Sequence, residues 1–63
     1  MPSALVTSVE GPKGKAEIFE HVVEIGSGGQ RFEYEVQFQG GSQKVLALGE
    51  AYIIAKELSG VGG

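Results

Sequence analysis

The side chains that could do chemistry are few in this sequence, and their spacing does not favour catalysis. Nucleophilic catalysis needs a Ser, Cys, Thr or Lys next to a base that a third group orients. The chain has no cysteine and a single histidine, His21, within an apolar strand-like segment. The serines fall in predicted turns, near the tail or in the first segment, and no GxSxG sequence occurs. We therefore expect a protein that is not an enzyme.

Cofactor and metal sites are not predicted either. The stretches GSGGQR and GPKGK lack the spacing of dinucleotide-binding and P-loop motifs, and both are typical of turns. Glu20, Glu24, Glu33 and Glu35 are expected to share the outer face of a sheet, where hard cations could bind carboxylates. Calcium sites normally use closely spaced Asp and Asn on loops, and the chain contains neither residue. We interpret these glutamates as a solvated charged face.

The charge balance disfavours nucleic-acid binding. Five Lys and Arg against eight Glu give a net charge of −3, which repels a phosphate backbone unless the bases cluster. Lys13 and Lys15 share a turn, whereas Arg31, Lys44 and Lys56 lie on three different predicted elements. Binding of nucleic acid through Lys13, Lys15, Arg31 and Lys44 is therefore the alternative function.

Glycine-rich turns divide the chain into four segments with periodic apolar residues. Segment 30–39 alternates so regularly that it predicts a strand, and its apolar residues are Phe32, Tyr34, Val36 and Phe38. Segment 15–25 is also strand-like, but it has apolar residues on both faces. Segment 4–10 is either a fourth strand or an arm that orders only against a partner.

Turn lengths give a predicted register. If GSGG is a four-residue loop, Ile25 lies opposite Gln30 and Phe19 opposite Val36, which places His21 on the core face beside Tyr34. If GPKG is a four-residue loop, Glu10 faces Lys15 and Val6 faces Phe19.

The second hairpin turn is predicted at the glycine pair 40–41. A two-residue type I′ turn at this pair sets Gln39 opposite Ser42 and directs Val45 and Ala47 into the core. A longer loop would reverse the faces of this last strand.

After Leu48 the apolar period changes from 2 to 3.6, which predicts a helix. Ala51, Ile54, Ala55 and Leu58 form its apolar face, with Gly49 as the N-cap and Gly60 in the left-handed position that ends it. The expected fold is α+β, an antiparallel three- or four-stranded meander followed by one C-terminal helix (β-β-β-α or β-β-β-β-α). Residues 1–63 form one small domain, and 61–63 are expected to be a frayed tail.

One helix covers only one face of the sheet, so the other face needs an explanation. The predicted register puts Ile18, Val22, Leu46 and Leu48 on that outer face, and exposed apolar patches of this kind mark interfaces. The chain is also too short for a large core, and it has no disulfide to stabilise it. We therefore predict a homodimer that associates through these residues. The alternative is that the first strand curls over them, or that the sheet coils enough to hide them.

The favoured function is a small non-enzymatic interaction module, with a further protein partner possible. Its predicted architecture resembles that of integrase arm-binding domains and of coactivator domains that bind single-stranded nucleic acid. The basic stripe and exposed aromatic residues of such modules are not predicted here, because Phe32, Tyr34 and Phe38 should face the helix. With no membrane-length apolar run, no signal-peptide pattern and no cysteine, a cytoplasmic location is expected.

Overall fold

The computed structural model describes residues 3–61 and shows a four-stranded antiparallel sheet followed by one helix. The elements are β1 (Ser3–Gly11), β2 (Gly14–Ile25), β3 (Gly29–Phe38), β4 (Gly41–Val45) and α1 (Leu48–Ser59). The strands follow in sheet order β1-β2-β3-β4, so the predicted α+β meander is confirmed in its four-stranded form. No helix within the described range is long and apolar enough to cross a membrane.

The first hairpin has the predicted register next to its turn, but its loop has two residues, Pro12 and Lys13, rather than four. Glu10 pairs with Lys15 as expected, and Gly11 pairs with Gly14. Gly11 also lies against the end of α1, where an added Cβ would be 2.5 Å from the Ser59 carbonyl oxygen. The Lys13 amide donates to that same carbonyl at 2.8 Å, so the helix end is fixed to the hairpin turn.

A β-bulge changes the other end of this strand pair. The register shifts between Leu5 and Thr7, so that Leu5 pairs with Phe19 and Thr7 with Ile18. The predicted pairing of Val6 with Phe19 was therefore wrong. Bulges of this kind bend an edge strand, and the bend makes its unpaired outer edge less suitable for a further strand.

The turn between β2 and β3 is shorter than predicted, and this changes which face of the sheet each β2 side chain occupies. The loop has three residues rather than four, and Gly28 adopts the left-handed conformation with φ 83°. Ile25 therefore pairs with Gly29, and Ile18 rather than Phe19 pairs with Val36. Because side chains alternate with a period of two, this shift of one residue exchanges the two faces of β2 relative to β3.

The core lies between α1 and the face of the sheet that carries Ile18; we call this face the helix side. Its buried apolar residues are Ala16, Ile18, Val36, Ala51 and Ala55. Ile54 and Leu58 pack against this cluster, so the predicted apolar face of the helix is confirmed. The alanines of α1 and β2 leave room for the helix backbone to lie close to the sheet.

The third hairpin keeps its predicted turn type but begins one residue earlier. The central residues are Gln39 and Gly40, with φ values of 50° and 84°, as a type I′ turn requires. Phe38 thus pairs with Gly41, and Val45 pairs with Tyr34 instead of Val36. The register moves by two residues in total, so Val45 still packs against the core.

The helix starts earlier than predicted and ends as predicted. Its N-cap is Ala47 rather than Gly49, and no side chain caps it. Gly60 has a φ of 86°, and its amide donates to the Lys56 carbonyl at 2.9 Å, which confirms the left-handed C-cap. The Val61 amide donates to the same carbonyl at 3.0 Å. The remainder of the predicted tail, residues 62–63, lies outside the described residues.

The sheet is much longer than the helix that covers it. At about 3.3 Å per residue the twelve residues of β2 extend for about 40 Å, whereas at 1.5 Å per residue the twelve residues of α1 extend for about 18 Å. Beyond the last pair of β1 with β2, Ser3 with His21, residues 22–32 continue as a two-stranded hairpin. We call residues 22–32 the distal ribbon.

Candidate functional site

The face of the sheet opposite α1 carries a row of apolar side chains along β2; we call it the open face. Phe19, Val23 and Ile25 lie on this face, with His21 between Phe19 and Val23, and Leu5 of β1 pairs with Phe19. Leu5 is 54% exposed and Ile25 44%, while Phe19 and Val23 are half-buried. We call these four residues the open-face strip. Within residues 3–61, no helix or strand packs over it.

The strip has charged residues of both signs around it. Lys15 pairs with Glu10 across the first hairpin, and Lys44 pairs with Glu35 across the third. On the distal side Arg31 donates to Glu33, with Nη2 2.9 Å from Oε2. Each of these three cations therefore has a neighbouring carboxylate.

His21 lies in the middle of the strip, between Phe19 and Val23. The register places it on the open face, so the prediction that it lies on the core face beside Tyr34 was wrong. Its Nε2 atom is 2.7 Å from Glu35 Oε1. This hydrogen bond is the main reason why the pKa of Glu35 is lowered, and bonds from Ser42 and Gln37 add to it, whereas partial burial opposes it. The pair provides a fixed polar group inside an otherwise apolar row.

Tyr34 makes its polar contact on the helix side of the sheet. Its hydroxyl donates to Glu20 Oε2 at 3.3 Å. Partial burial raises the pKa of Tyr34, and the nearby Glu20 carboxylate raises it further. The four glutamates predicted to share one face are thus divided, with Glu20 and Glu24 on the helix side and Glu33 and Glu35 on the open face.

The four residues predicted as an interface do not form one surface. Ile18 is fully buried under the helix, and Val22 is half-buried on the same helix side. Leu46 is 68% exposed in the bend after β4, and Leu48 is the first residue of α1 and packs against the core. Their predicted placement on the uncovered face was wrong, because it depended on the four-residue loop and on a longer β4.

The residues that do occupy the uncovered face were visible in the sequence. Phe19, Val23 and Ile25 have the period of two that marks one face of a strand, but the predicted register assigned them to the core. Leu5 was not assigned to the interface because segment 4–10 could also be an arm, and its pairing with Phe19 depends on a bulge without a clear sequence signal.

Three of the four predicted nucleic-acid contacts lie on the same face of the sheet. Lys15, Arg31 and Lys44 all lie on the open face, while Lys13 lies in the turn between β1 and β2. The three on the open face are separated by Glu17, Glu33 and Glu35, which reduces the positive potential that a phosphate backbone would meet.

Among the described residues no group of three or more His, Asp and Glu side chains is placed to hold a metal ion. The hydrogen-bond partner of the His21 imidazole is the Glu35 carboxylate. The open face therefore consists of the apolar strip surrounded by charged side chains.

Comparison with protein-family models, with curated proteins and with solved structures gives no match for this chain.

Proposed function

We propose that the protein is a small non-enzymatic interaction module that forms a homodimer through its open face. The observation that carries the proposal is the open-face strip, a set of apolar side chains interrupted by His21, over which no element of residues 3–61 packs. Exposed apolar patches with polar borders mark protein interfaces. The earlier prediction of self-association through the uncovered face is kept, and its residues become Leu5, Phe19, Val23 and Ile25.

The composition and size of the face support this use. Fully buried interface centres are apolar and their rims are polar, which is how the strip and its surrounding Lys and Glu residues are arranged. From Phe19 to Ile25 the strip extends for about 20 Å along β2, at about 3.3 Å per residue.

A second copy of the chain is the partner that best fits the rest of the molecule. Three of the five buried apolar core residues are alanines, so a single copy has a small core. Small domains commonly add stability by association when disulfides and metals are absent. In a two-fold interface the same patch meets itself, and the mixed charges around the strip allow Lys15 or Lys44 of one copy to approach Glu17 or Glu33 of the other.

The test compares two substitutions that add the same charge to different surfaces. Phe19→Lys places the charge in the strip, whereas Ile53→Lys places it on the exposed outer side of α1, where Ile53 is 60% exposed. In sedimentation equilibrium over a concentration series, the unaltered protein and Ile53→Lys should be dimers and Phe19→Lys a monomer. Circular dichroism should show all three folded. If Phe19→Lys unfolds, Leu5→Lys provides the same test at a more exposed position.

Two outcomes would overturn the proposal. One is a parent protein that stays monomeric at high micromolar concentration, and the other is a Phe19→Lys variant that dimerises as well as the parent. The same samples address the alternative function, for which the support is that Lys15, Arg31 and Lys44 share a face. A nucleic-acid binder would retain single-stranded DNA at low salt and lose it steeply as salt rises. The cytoplasmic location stays a prediction.

A further inference from the structure

The outer edge of β3 is only partly paired. β4 pairs with β3 from Tyr34 to Phe38, whereas β3 continues back to Gly29. Among the described residues, Gly29 to Glu33 therefore have β2 on one side and no strand on the other. A row of unpaired backbone N–H and C=O groups is a template for a further strand.

This edge lacks the features that protect the edges formed by β1 and β4. β1 carries a bulge between Leu5 and Thr7, and β4 carries Lys44. The pairing of Gly29 to Glu33 with β2 is regular, without a bulge, and the segment contains neither proline nor lysine. Bulges, lysine and proline are among the usual means of preventing strand addition, and of the charged residues on this edge Arg31 is already paired with Glu33.

We propose that the edge of β3 from Gly29 to Glu33 binds an extended segment of a partner protein as an added strand. The added strand would run antiparallel to β3 and would continue the path of β4, which ends at Val45. It would begin opposite Glu33 and end opposite Gly29, so it has room for about five residues.

The charge pattern of the edge specifies what the segment should contain. Where β4 is present, Lys44 lies opposite Glu35 and Val45 opposite Tyr34, which pairs a cation with a carboxylate and an apolar residue with an aromatic one. The free edge repeats this order with Glu33 and then Phe32, followed by Arg31. Phe32 is 50% exposed. The matching segment therefore reads Lys, apolar residue, Glu from its N-terminus, because opposite charges across a strand pair attract.

A second copy of the chain fits this edge less well than such a segment. Antiparallel pairing of the five residues with themselves would centre on Arg31 and set it opposite the Arg31 of the other copy, and like charges directly opposite are destabilising. A shift that brings Arg31 opposite Glu33 would extend the pairing to Tyr34, whose edge Val45 already occupies. The edge therefore favours a different chain.

The experiment uses two synthetic peptides of identical composition. One has the sequence Lys-Val-Glu-Val-Thr and the other Glu-Val-Lys-Val-Thr, both with blocked ends. With ¹⁵N-labelled protein, the first should shift the amide signals of Gly29 to Glu33 and bind roughly tenfold more tightly than the second, since two attractive cross-strand pairs replace two repulsive ones.

The double substitution Arg31→Glu with Glu33→Arg is the matched control. It keeps the net charge and the local pair of opposite charges, and it should reverse the preference between the peptides. The inference does not depend on the open-face dimer, so the preference should be unchanged in the Phe19→Lys variant.

Several results would overturn the inference. These are the absence of binding at millimolar peptide, equal binding of the two peptides, or signal shifts confined to β1 or the open face. Edge amides that become protected as the concentration of the protein alone rises would show that a second copy occupies the edge instead.

Discussion

The two ends of β2 have the same strand geometry and very different surroundings. At its beginning, Ala16 and Ile18 are fully buried between α1 and the strands on both sides. At its end, residues 22–25 pair only with β3. Val22 and Val23 remain half-buried there, and Ile25 is 44% exposed.

The difference shows how a short chain divides its few apolar residues. One helix covers about half the length of the long strands, so the covered end supplies the stability and the distal ribbon supplies exposed surface. A two-stranded ribbon is marginally stable in water by itself. The ribbon would therefore gain order from any strand or sheet that packs against it, and it carries the free edge of β3 as well as Val23 and Ile25 of the open-face strip.

The largest predicted difference between the two ends of β2 is in the stability lost when an isoleucine is replaced by alanine. Ile18→Ala should lower the free energy of unfolding by about 3 kcal/mol, since it leaves a cavity in a fully buried site. Ile25→Ala should lower it by about 0.5 kcal/mol in the monomeric Phe19→Lys background. Urea denaturation followed by circular dichroism measures both.

Equal losses at the two positions would show that the ribbon is packed as tightly as the core. If Ile18→Ala fails to fold, Ile18→Val should still lose about 1 kcal/mol and keep the comparison measurable.

A smaller predicted effect concerns the hydrogen bond between His21 and Glu35 on the open face. The pKa of Glu35 lies below its usual value of 4.5, mainly because of the hydrogen bond from His21. A lowered carboxyl pKa stabilises the folded state above the usual value, and this contribution is lost as the pH falls through the lowered one. His21→Ala should therefore raise the pKa of Glu35 and reduce the loss of stability in acid.

The carboxyl carbon signal of Glu35, followed by NMR from neutral to acid pH, measures this pKa directly. Gln37→Ala is the control, because its bond to Glu35 is longer, at 3.4 Å, and contributes less to the lowering. An unchanged pKa in His21→Ala would mean that the imidazole does not hold the carboxylate in solution.

The order of elements was predictable because its signals are local. Gly11, Pro12 and Gly14 mark the first turn, the regular alternation of 30–39 marks β3, and the change of period after Leu48 marks the helix. Each of these signals lies within a few residues of the element that it predicts.

The faces of the sheet were not predictable from local signals. Gly26, Gly28 and Gly29 all tolerate the backbone angles of a tight turn, so the sequence does not decide between a three-residue and a four-residue loop. β2 has apolar residues on both sides, so either register buries some of them. The choice is made by packing against the alanines of α1, which accept Ile18 but leave Phe19 on the open face.

The central claim is that the open-face strip is the surface where two copies meet, and isotope-filtered NMR tests it most directly. In a mixture of ¹³C-labelled and unlabelled protein, nuclear Overhauser effects between the two kinds of chain report only contacts across the interface. The account predicts such effects from the Phe19 ring to Leu5, Val23 or Ile25 of the other copy. Their absence at these residues, or intermolecular effects confined to Phe32 and Ile53, would contradict it.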